Sequence, residues 1–231
     1  MDSYFSKVYN ITNDEASVSK IDNFLIFDKL KKILILIFTL VILLIITIVN
    51  INKTKPLNYN SIALTGDSYA SYLYNRLNGN LDCALESYFA AGQTIIENKE
   101  LMLSAMKSRS KYVIISIGVN DHLKSTNLQL FHDTLDEIIK EGVKNNKIIF
   151  THSFLEYPIS KHFISMHTTH DYDNIIHAIS DNYNEVTYIN INEYSKDKYF
   201  IDDNLHLNNE FYNKFFGILL YEFDKMKINI R

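Results

Sequence analysis

Short apolar runs alternate with amphipathic helical stretches from about residue 59 onward. Four runs are rich in branched residues, as β-strands are, and lie at residues 61–65, 111–117, 147–151 and 185–191; residues 84–89 are a weaker strand candidate. Between them, apolar residues recur at helical spacing, most clearly in residues 127–144 and in the last helical stretch. Strands that alternate with helices indicate β-α-β units. The sequence therefore predicts an α/β fold for residues 59–231, with helices on both faces of a five-stranded parallel sheet.

Polar loop residues follow the first three predicted strands. Gly66-Asp67-Ser68 comes after the first strand, Gly92 after the second, and residues 118–121 (Gly-Val-Asn-Asp) after the third. Parallel strands end at one edge of a sheet, and ligands of such sheets bind beyond the carboxyl ends of the strands. We therefore expect these three loops to meet at one edge.

A hydroxyl, an imidazole and a carboxyl group occur where they could form a nucleophilic relay. Ser68 opens a predicted helix, and Asp203 and His206 stand three positions apart near the C-terminus. One short turn can present both of those side chains, so that the carboxylate holds the imidazole while the imidazole takes the serine proton. Each part alone has another explanation, because Asp67 or Ser68 could cap the helix and Asp203-x-x-His206 could form a surface turn.

Three groups are candidate donors to an oxyanion. The N–H of Ser68 belongs to a helix N-terminus, where the dipole favours negative charge. Gly92 lets the backbone approach a reacting centre closely, and the side-chain amide of Asn120 can also donate. The alternative for Asn120 is turn formation after the third strand.

The motifs resemble, in order and spacing, the four blocks of the SGNH, or GDSL-type, hydrolases. The matching segments are GDS at 66–68, AGQT at 91–94, GVND at 118–121 and DDNLHLN at 202–208. The resemblance covers about residues 59–225, and it departs from the family pattern at Ala91, where Asn or Ser often precedes the glycine. The Gly-x-Ser-x-Gly elbow of the α/β-hydrolases is absent, which disfavours that fold.

The resemblance implies a fold, a set of roles and an activity. The fold would be a flavodoxin-like three-layer α/β/α sandwich. Ser68 would be the nucleophile, His206 the base and Asp203 the residue that orients it, with Ser68, Gly92 and Asn120 forming the oxyanion hole. The protein would be a serine esterase that needs no cofactor and acts on an acylated small molecule or glycan, for example an acetylated glycan of the cell envelope or extracellular space. Two alternatives stay open: an acyltransferase with the same triad, and a catalytically inactive, anchored binding protein.

Residues 33–49 form an apolar run in which Thr39 and Thr47 are the only weakly polar members. With the flanking residues to 51, a helix of this length nearly spans a hydrocarbon core of about 30 Å. A buried core helix is the alternative, but such a helix is rarely apolar on every face. We therefore predict a transmembrane signal anchor at residues 33–51, preceded by a cytoplasmic tail (residues 1–32) and followed by a linker (residues 52–58).

Lysines near the ends of this apolar segment predict its orientation. More precede it than follow it: Lys20, Lys29, Lys31 and Lys32 against Lys53 and Lys55. Positive charge favours the cytoplasmic side, and no small-x-small cleavage motif follows Val49. The sequence thus predicts a single-pass protein of the cell membrane, with its N-terminus in the cytoplasm and its catalytic domain outside.

Charge and cysteine content argue against other classes of function. The formal net charge is −4, so the chain has no basic footprint for nucleic acid. The single cysteine, Cys83, excludes an intramolecular disulfide and a Cys-x-x-Cys zinc or redox site. A histidine-rich segment at residues 152–173 matches no recognised metal-site spacing, so we predict no metal. The segment could instead form a loop that faces the substrate, or a part of the surface without a role in function.

Overall fold

The computed structural model describes residues 29–45, 57–158, 165–194 and 196–228. The chain divides into two units between Lys55 and Pro56. In the first unit, the described residues form one helix, α1 (residues 29–45), whose apolar side chains are exposed. Within the described ranges, no helix is both long enough and apolar enough to cross a membrane.

Parts of the predicted N-terminal organisation lie outside the described residues. These are residues 1–28 of the predicted tail, residues 46–51 of the predicted membrane span and residues 52–56 of the predicted linker. The transmembrane anchor and its orientation therefore stay predictions.

The second unit contains the strands and helices that position the site. Its described residues form strands β1 (Asn58–Gly66), β2 (Ala84–Phe89), β3 (Ser110–Ser116), β4 (Ile148–His152) and β5 (Val186–Ile189). Its α-helices are α2 (Ser68–Leu77), α3 (Ile95–Lys107), α4 (Val119–Leu123), α5 (Leu128–Lys144), α6 (Thr169–Asp181) and α7 (Asn209–Lys225). Two short 3₁₀-helices lie between β5 and α7, at Asn192–Tyr194 and Asp197–Tyr199.

The five strands form one parallel sheet in the order β2-β1-β3-β4-β5. This is the doubly wound order of flavodoxin-like proteins, in which the chain reverses direction between β1 and β3. Right-handed crossovers place α2 on one face and α3, α5 and α6 on the other. The packing agrees, because α2 contacts α7 while α5 contacts both α3 and α6. The predicted α/β fold with a five-stranded parallel sheet is confirmed.

The central strands and the core face of α5 show why the sequence adopts this fold. Residues 113–116 of β3 are buried without alternation, as expected for a strand covered on both faces. The predicted apolar stripe of α5 is completely buried at Phe131, Leu135, Ile138 and Ile139, while its first member, Leu128, is half-buried. The stripe packs between the sheet and the neighbouring helices, so the helical periodicity in the sequence identifies the core side correctly.

Several strand boundaries differ from the sequence prediction by one to three residues, and two of the differences have clear local reasons. β1 begins at Asn58 rather than residue 61, because the Asn58 N–H donates to the Arg109 carbonyl at 2.7 Å and extends the pairing with β3. β5 ends at Ile189 rather than residue 191, because the Ile191 N–H turns away and donates to Ser153 Oγ at 2.7 Å.

Candidate active site

The turn that carries Ser68 is built around a glycine. Gly66 ends β1 with φ +133°, and a Cβ at this position would overlap the carbonyl oxygen of Ser116 on β3. That carbonyl accepts the Asp67 N–H at 3.0 Å. Ser68, the first residue of α2, therefore leaves the sheet at a fixed point between β1 and β3, with 8% of its surface exposed.

The loop that carries Asp203 and His206 is ordered by the Asp203 carboxylate. Asp203 Oδ1 accepts the backbone N–H of Leu205 at 2.9 Å and of His206 at 2.8 Å. Asp203 Oδ2 lies 2.6 Å from His206 Nδ1. Asn204 between them has φ +56°, a conformation that Asn tolerates better than most residues. The three-residue spacing thus places carboxylate and imidazole on one side of a tight turn.

The predicted contact between the two loops is present. His206 Nε2 lies 3.2 Å from Ser68 Oγ, although the residues are 138 positions apart in the chain. Because Nδ1 faces a carboxylate, it carries the proton, which leaves Nε2 as the acceptor for the serine hydroxyl. The Tyr69 hydroxyl donates to the Leu205 carbonyl at 2.5 Å and ties the loop to α2.

The Asp203–His206 pair is partly open to solvent. The side chains of Asp203 and His206 are 43% and 23% exposed. Burial raises the pKa of Asp203, but hydrogen bonds from the His206 ring and from the N–H groups of His206 and Leu205 outweigh it and hold the pKa below its usual range. Asp203 is therefore ionised at neutral pH and can stabilise an imidazolium on His206.

The side-chain amide of Asn120 is an unsatisfied hydrogen-bond donor at the edge of the sheet where Ser68 lies. It lies in α4, directly after Gly118, which has φ +124° and whose Cβ, if present, would overlap the Phe154 ring. Asn120 is 9% exposed, and its buried Nδ2 makes no well-formed hydrogen bond with any described residue. The amide does favour the charged form of Asp67, so it faces that carboxyl. A buried unpaired donor costs about 1–3 kcal/mol, a cost that a bound oxyanion would remove.

Gly92 lies in an exposed turn beyond the end of β2, with φ +75°. The turn is held beside the Ser68 turn because the Ala90 N–H donates to the Gly66 carbonyl at 3.2 Å. The Asn98 side chain also donates to the Ala90 carbonyl at 3.2 Å. The structure therefore places Gly92 at the predicted edge of the sheet, and its donor role stays a prediction.

Solved structures provide the comparison, since no family model and no curated protein matches the chain. A GDSL-like lipase from Bacteroides thetaiotaomicron is 14% identical over 77% of this chain and 96% of its own, with a TM-score of 0.61. A lipase/acylhydrolase from Enterococcus faecalis is 14% identical over 74% of this chain and 97% of its own, with a TM-score of 0.61. A carbohydrate esterase family 3 protein from Talaromyces cellulolyticus is 12% identical over 71% of this chain and 98% of its own, with a TM-score of 0.54. The chain has the GDSL-like hydrolase fold.

Two buried carboxyl groups lie beside the candidate site. Asp67 is the N-cap of α2, which is one of the alternatives that the sequence left open, whereas Asp121 had no separate role in the sequence prediction. Asp67 is completely buried and accepts the Tyr69 N–H at 2.9 Å, and Asp121 is completely buried and accepts the Ile95 N–H at 3.0 and 3.1 Å. Burial raises the pKa of Asp67 to about 7, with the Tyr69 N–H opposing and the Asp121 charge adding to the shift. Burial likewise raises the pKa of Asp121 to about 6. The sequence feature that could have identified them is their position, because Asp67 directly precedes Ser68 and Asp121 directly follows Asn120.

We expect the Asp67→Asn variant to gain stability relative to the wild type mainly at high pH. Folding raises the pKa of Asp67 from 3.8 to about 7, so ionisation of this group destabilises the folded state progressively as pH rises through that interval. The amide cannot ionise and can still accept the Tyr69 N–H. The gain in unfolding free energy should be about 2.5 kcal/mol larger at pH 8 than at pH 5.

Denaturant unfolding of the full chain at both pH values measures this difference. The matched control is Asp181→Asn, because the Asp181 side chain is 69% exposed on α6. If the Asp67→Asn variant gains the same unfolding free energy at pH 5 and at pH 8, the raised pKa of Asp67 is contradicted.

The histidine-rich segment does not form a metal centre in the part of the chain that the structure describes. His152 ends β4 in a buried position, with Nε2 2.8 Å from Ser116 Oγ and Nδ1 2.9 Å from the Ser153 carbonyl. Burial lowers the pKa of His152, so it is neutral. His162 lies outside the described residues, and the substrate-facing role suggested for the segment stays a prediction.

Two tyrosines of α2 also belong to the site and were missed in the sequence. Tyr69 holds the His206 loop, as described above, and the ring of Tyr72 packs against the His206 ring with centroids 5.2 Å apart. Their signal was spacing, because Tyr72 stands four positions after Ser68 and three after Tyr69, and residues three or four apart are neighbours on a helix surface.

Proposed function

We propose that this protein is a serine esterase that works through an acyl-enzyme. The observation that carries the proposal is the 3.2 Å contact between His206 Nε2 and Ser68 Oγ, with Asp203 bound to the other ring nitrogen. In this reaction His206 removes the hydroxyl proton while Ser68 Oγ bonds to the ester carbonyl carbon. The imidazolium then gives that proton to the departing alkoxide, and the acyl group stays on Ser68. A water molecule, activated by His206, releases the acid.

The negative charge of the tetrahedral intermediate would be held by three donors: the N–H groups of Ser68 and Gly92 and the Asn120 amide. Two features support this arrangement. The Ser68 N–H lies in the first turn of α2, where N–H groups lack intrahelical partners, and Asn120 Nδ2 is buried without a good acceptor. The donors belong to three loops, and the fold holds those loops at one edge.

We expect Asn120→Ala to lower kcat by about 10²–10³-fold with a smaller change in KM, because an oxyanion donor acts mainly in the transition state. Initial rates with 4-nitrophenyl acetate measure both constants. The control is Asn182→Ala at the C-terminal cap of α6, on the opposite side of the sheet from α2. A tenfold rise in KM at unchanged kcat would instead assign Asn120 to ground-state binding.

The substrate class that we propose is an acylated glycan, with acetyl as the acyl group. The carbohydrate esterase from Talaromyces cellulolyticus that shares the fold supports a sugar ester. Serine hydrolases and acyltransferases differ only in the acceptor, so acetyl-ester assays with and without added sugars distinguish hydrolysis from transfer. The intact contact between Ser68 and His206 argues against an inactive binding protein.

We also propose that residues 33–51 anchor the protein in the cell membrane, with the N-terminus cytoplasmic. Support comes from α1, whose described apolar side chains are all exposed, and from the apolar sequence that continues to Val49. Epitope tags at the two termini, probed with protease on intact cells, test the orientation. Protection of the C-terminal tag would overturn it.

A further inference from the structure

A groove lies between α2 and α7, directly beside His206. Its volume is about 350 Å³, and it is lined by Tyr72, Asn75, Arg76, Asn209, Tyr212 and Asn213. Tyr72 connects the groove to the site, because its ring packs on the His206 ring with centroids 5.2 Å apart and stacks on the Tyr212 ring at 6.0 Å. The groove is therefore separated from the imidazole by a single aromatic ring.

The position of the groove indicates which part of an ester it would hold. His206 must give its proton to the departing alkoxide, so the alcohol part leaves on the imidazole side. Of the three proposed oxyanion donors, Ser68 lies at the start of α2, Gly92 and Asn120 follow β2 and β3, and none belongs to the His206 loop. The groove lined by α2 and α7 is thus on the side of the alcohol, not of the carbonyl oxygen.

Arg76 gives the groove an uncompensated positive charge. Its guanidinium lies 5.9 Å from the Phe216 ring centroid, and it makes no ion pair with any described residue. Arg76 Nε is buried without a hydrogen-bond partner among the described residues, as is the Tyr212 hydroxyl. No acidic side chain is among the lining residues. Asn209 opens α7, where the helix dipole also favours an anion. These groups fit a ligand that brings negative charge.

The remaining lining residues fit a sugar ring. Tyr72 is 40% exposed and offers an aromatic face, and the amides of Asn75, Asn209 and Asn213 can both donate to and accept from hydroxyl groups. An aliphatic alcohol would leave these amides and the Arg76 guanidinium without partners.

We propose that this groove binds the alcohol part of the ester, and that this alcohol is a sugar unit bearing an anionic group. The inference rests on the proposed esterase function for its place in the reaction, but the binding itself can be measured without turnover. Arg76 pairs with the anionic group, Tyr72 stacks on the ring, and the acyl group is thereby held toward Ser68.

The test uses the sugar alone, so that binding and catalysis are judged separately. Binding of methyl glucuronide, glucose 6-phosphate and methyl glucoside to the full chain is followed by calorimetry or ligand-observed NMR. We expect either anionic sugar to bind at least about tenfold more tightly than the neutral glucoside, as a charge-assisted hydrogen bond predicts. The anionic sugar that binds more tightly shows whether the anionic group of the natural ligand is a carboxylate or a phosphate. The Arg76→Gln variant should lose this preference, and Arg76→Lys should keep part of it.

The matched control is Arg109→Gln, because Arg109 is exposed just before β3, away from the groove. Equal affinity of the wild type for anionic and neutral sugars, or an unchanged preference in a folded Arg76→Gln variant, would overturn the proposal even if esters are hydrolysed. The anionic preference without any hydrolysis of acetyl esters would support the groove and overturn the proposed esterase function alone.

Discussion

The Ser68→Ala variant is expected to lose at least about 10⁴-fold in kcat/KM toward an acetyl ester. Without the hydroxyl, no acyl-enzyme forms, and His206 Nε2 loses the group that lies 3.2 Å away in the wild type. The three proposed oxyanion donors, which include the backbone N–H of residue 68, remain in this variant, so a small residual rate above the uncatalysed reaction should persist. Release of 4-nitrophenol from 4-nitrophenyl acetate measures the rate, and labelling by a fluorophosphonate measures the nucleophile directly.

Ser71→Ala is the matched control for this experiment. Ser71 lies in the same helix and is half-buried, and its N–H donates to the Asp67 carbonyl at 3.3 Å through the backbone alone. It should keep both turnover and labelling. The nucleophile assignment fails if the Ser68→Ala variant hydrolyses the ester at a rate near that of the wild type or still takes up the probe.

The His206→Ala variant should lose activity to a similar extent, about 10⁴-fold or more. Its ring is the only base in contact with Ser68 Oγ among the described residues, and in the proposed reaction it also supplies the proton to the leaving alkoxide. Because the two residues act as one unit, the double variant with Ser68→Ala should be no slower than the slower single variant. Steady-state rates of the three variants with 4-nitrophenyl acetate give this comparison.

The control for the histidine is His132→Ala. That side chain is 42% exposed on α5, where its contact with Asp133 is a surface pair of little energetic consequence. Activity losses that multiply in the double variant would show that Ser68 and His206 act independently, which the 3.2 Å contact does not allow.

The sequence predicts the α/β fold well because alternating strand and helix periods are local patterns, and the four motifs that resemble the SGNH family predict its GDSL-like form. Each predicted strand appears in the structure, and the apolar runs rich in branched residues form the central strands β1, β3 and β4, which are covered on both faces. The meeting of Ser68 with His206 also follows from the sequence, because parallel strands deliver their loops to one edge. The predicted strand limits are less accurate, as at β1 and β5, where single hydrogen bonds from Asn58 and Ile191 set them.

Burial and shape at the site depend on tertiary packing, which a single sequence does not reveal. Asp67 and Asp121 have raised pKa values only because the loops after β1 and β3 are packed together. The groove at Arg76 likewise exists only because α2 packs against α7, which are far apart in the chain. Tyr72 and Arg76 stand four positions apart, which predicts that they share one face of α2. The sequence does not indicate which element packs beside that face.

Gly66 fixes the junction between β1 and β3 from which Ser68 leaves the sheet, because only glycine fits at this position. Any larger residue there would collide with the Ser116 carbonyl, which also accepts the Asp67 N–H. β1, which leads to Ser68, and β3, which leads to Asn120, are thus in backbone contact at their last residues. Adaptation to a new ester cannot come from widening this junction, so evolutionary change in substrate preference is confined to surrounding surfaces, such as those contributed by α2 and α7.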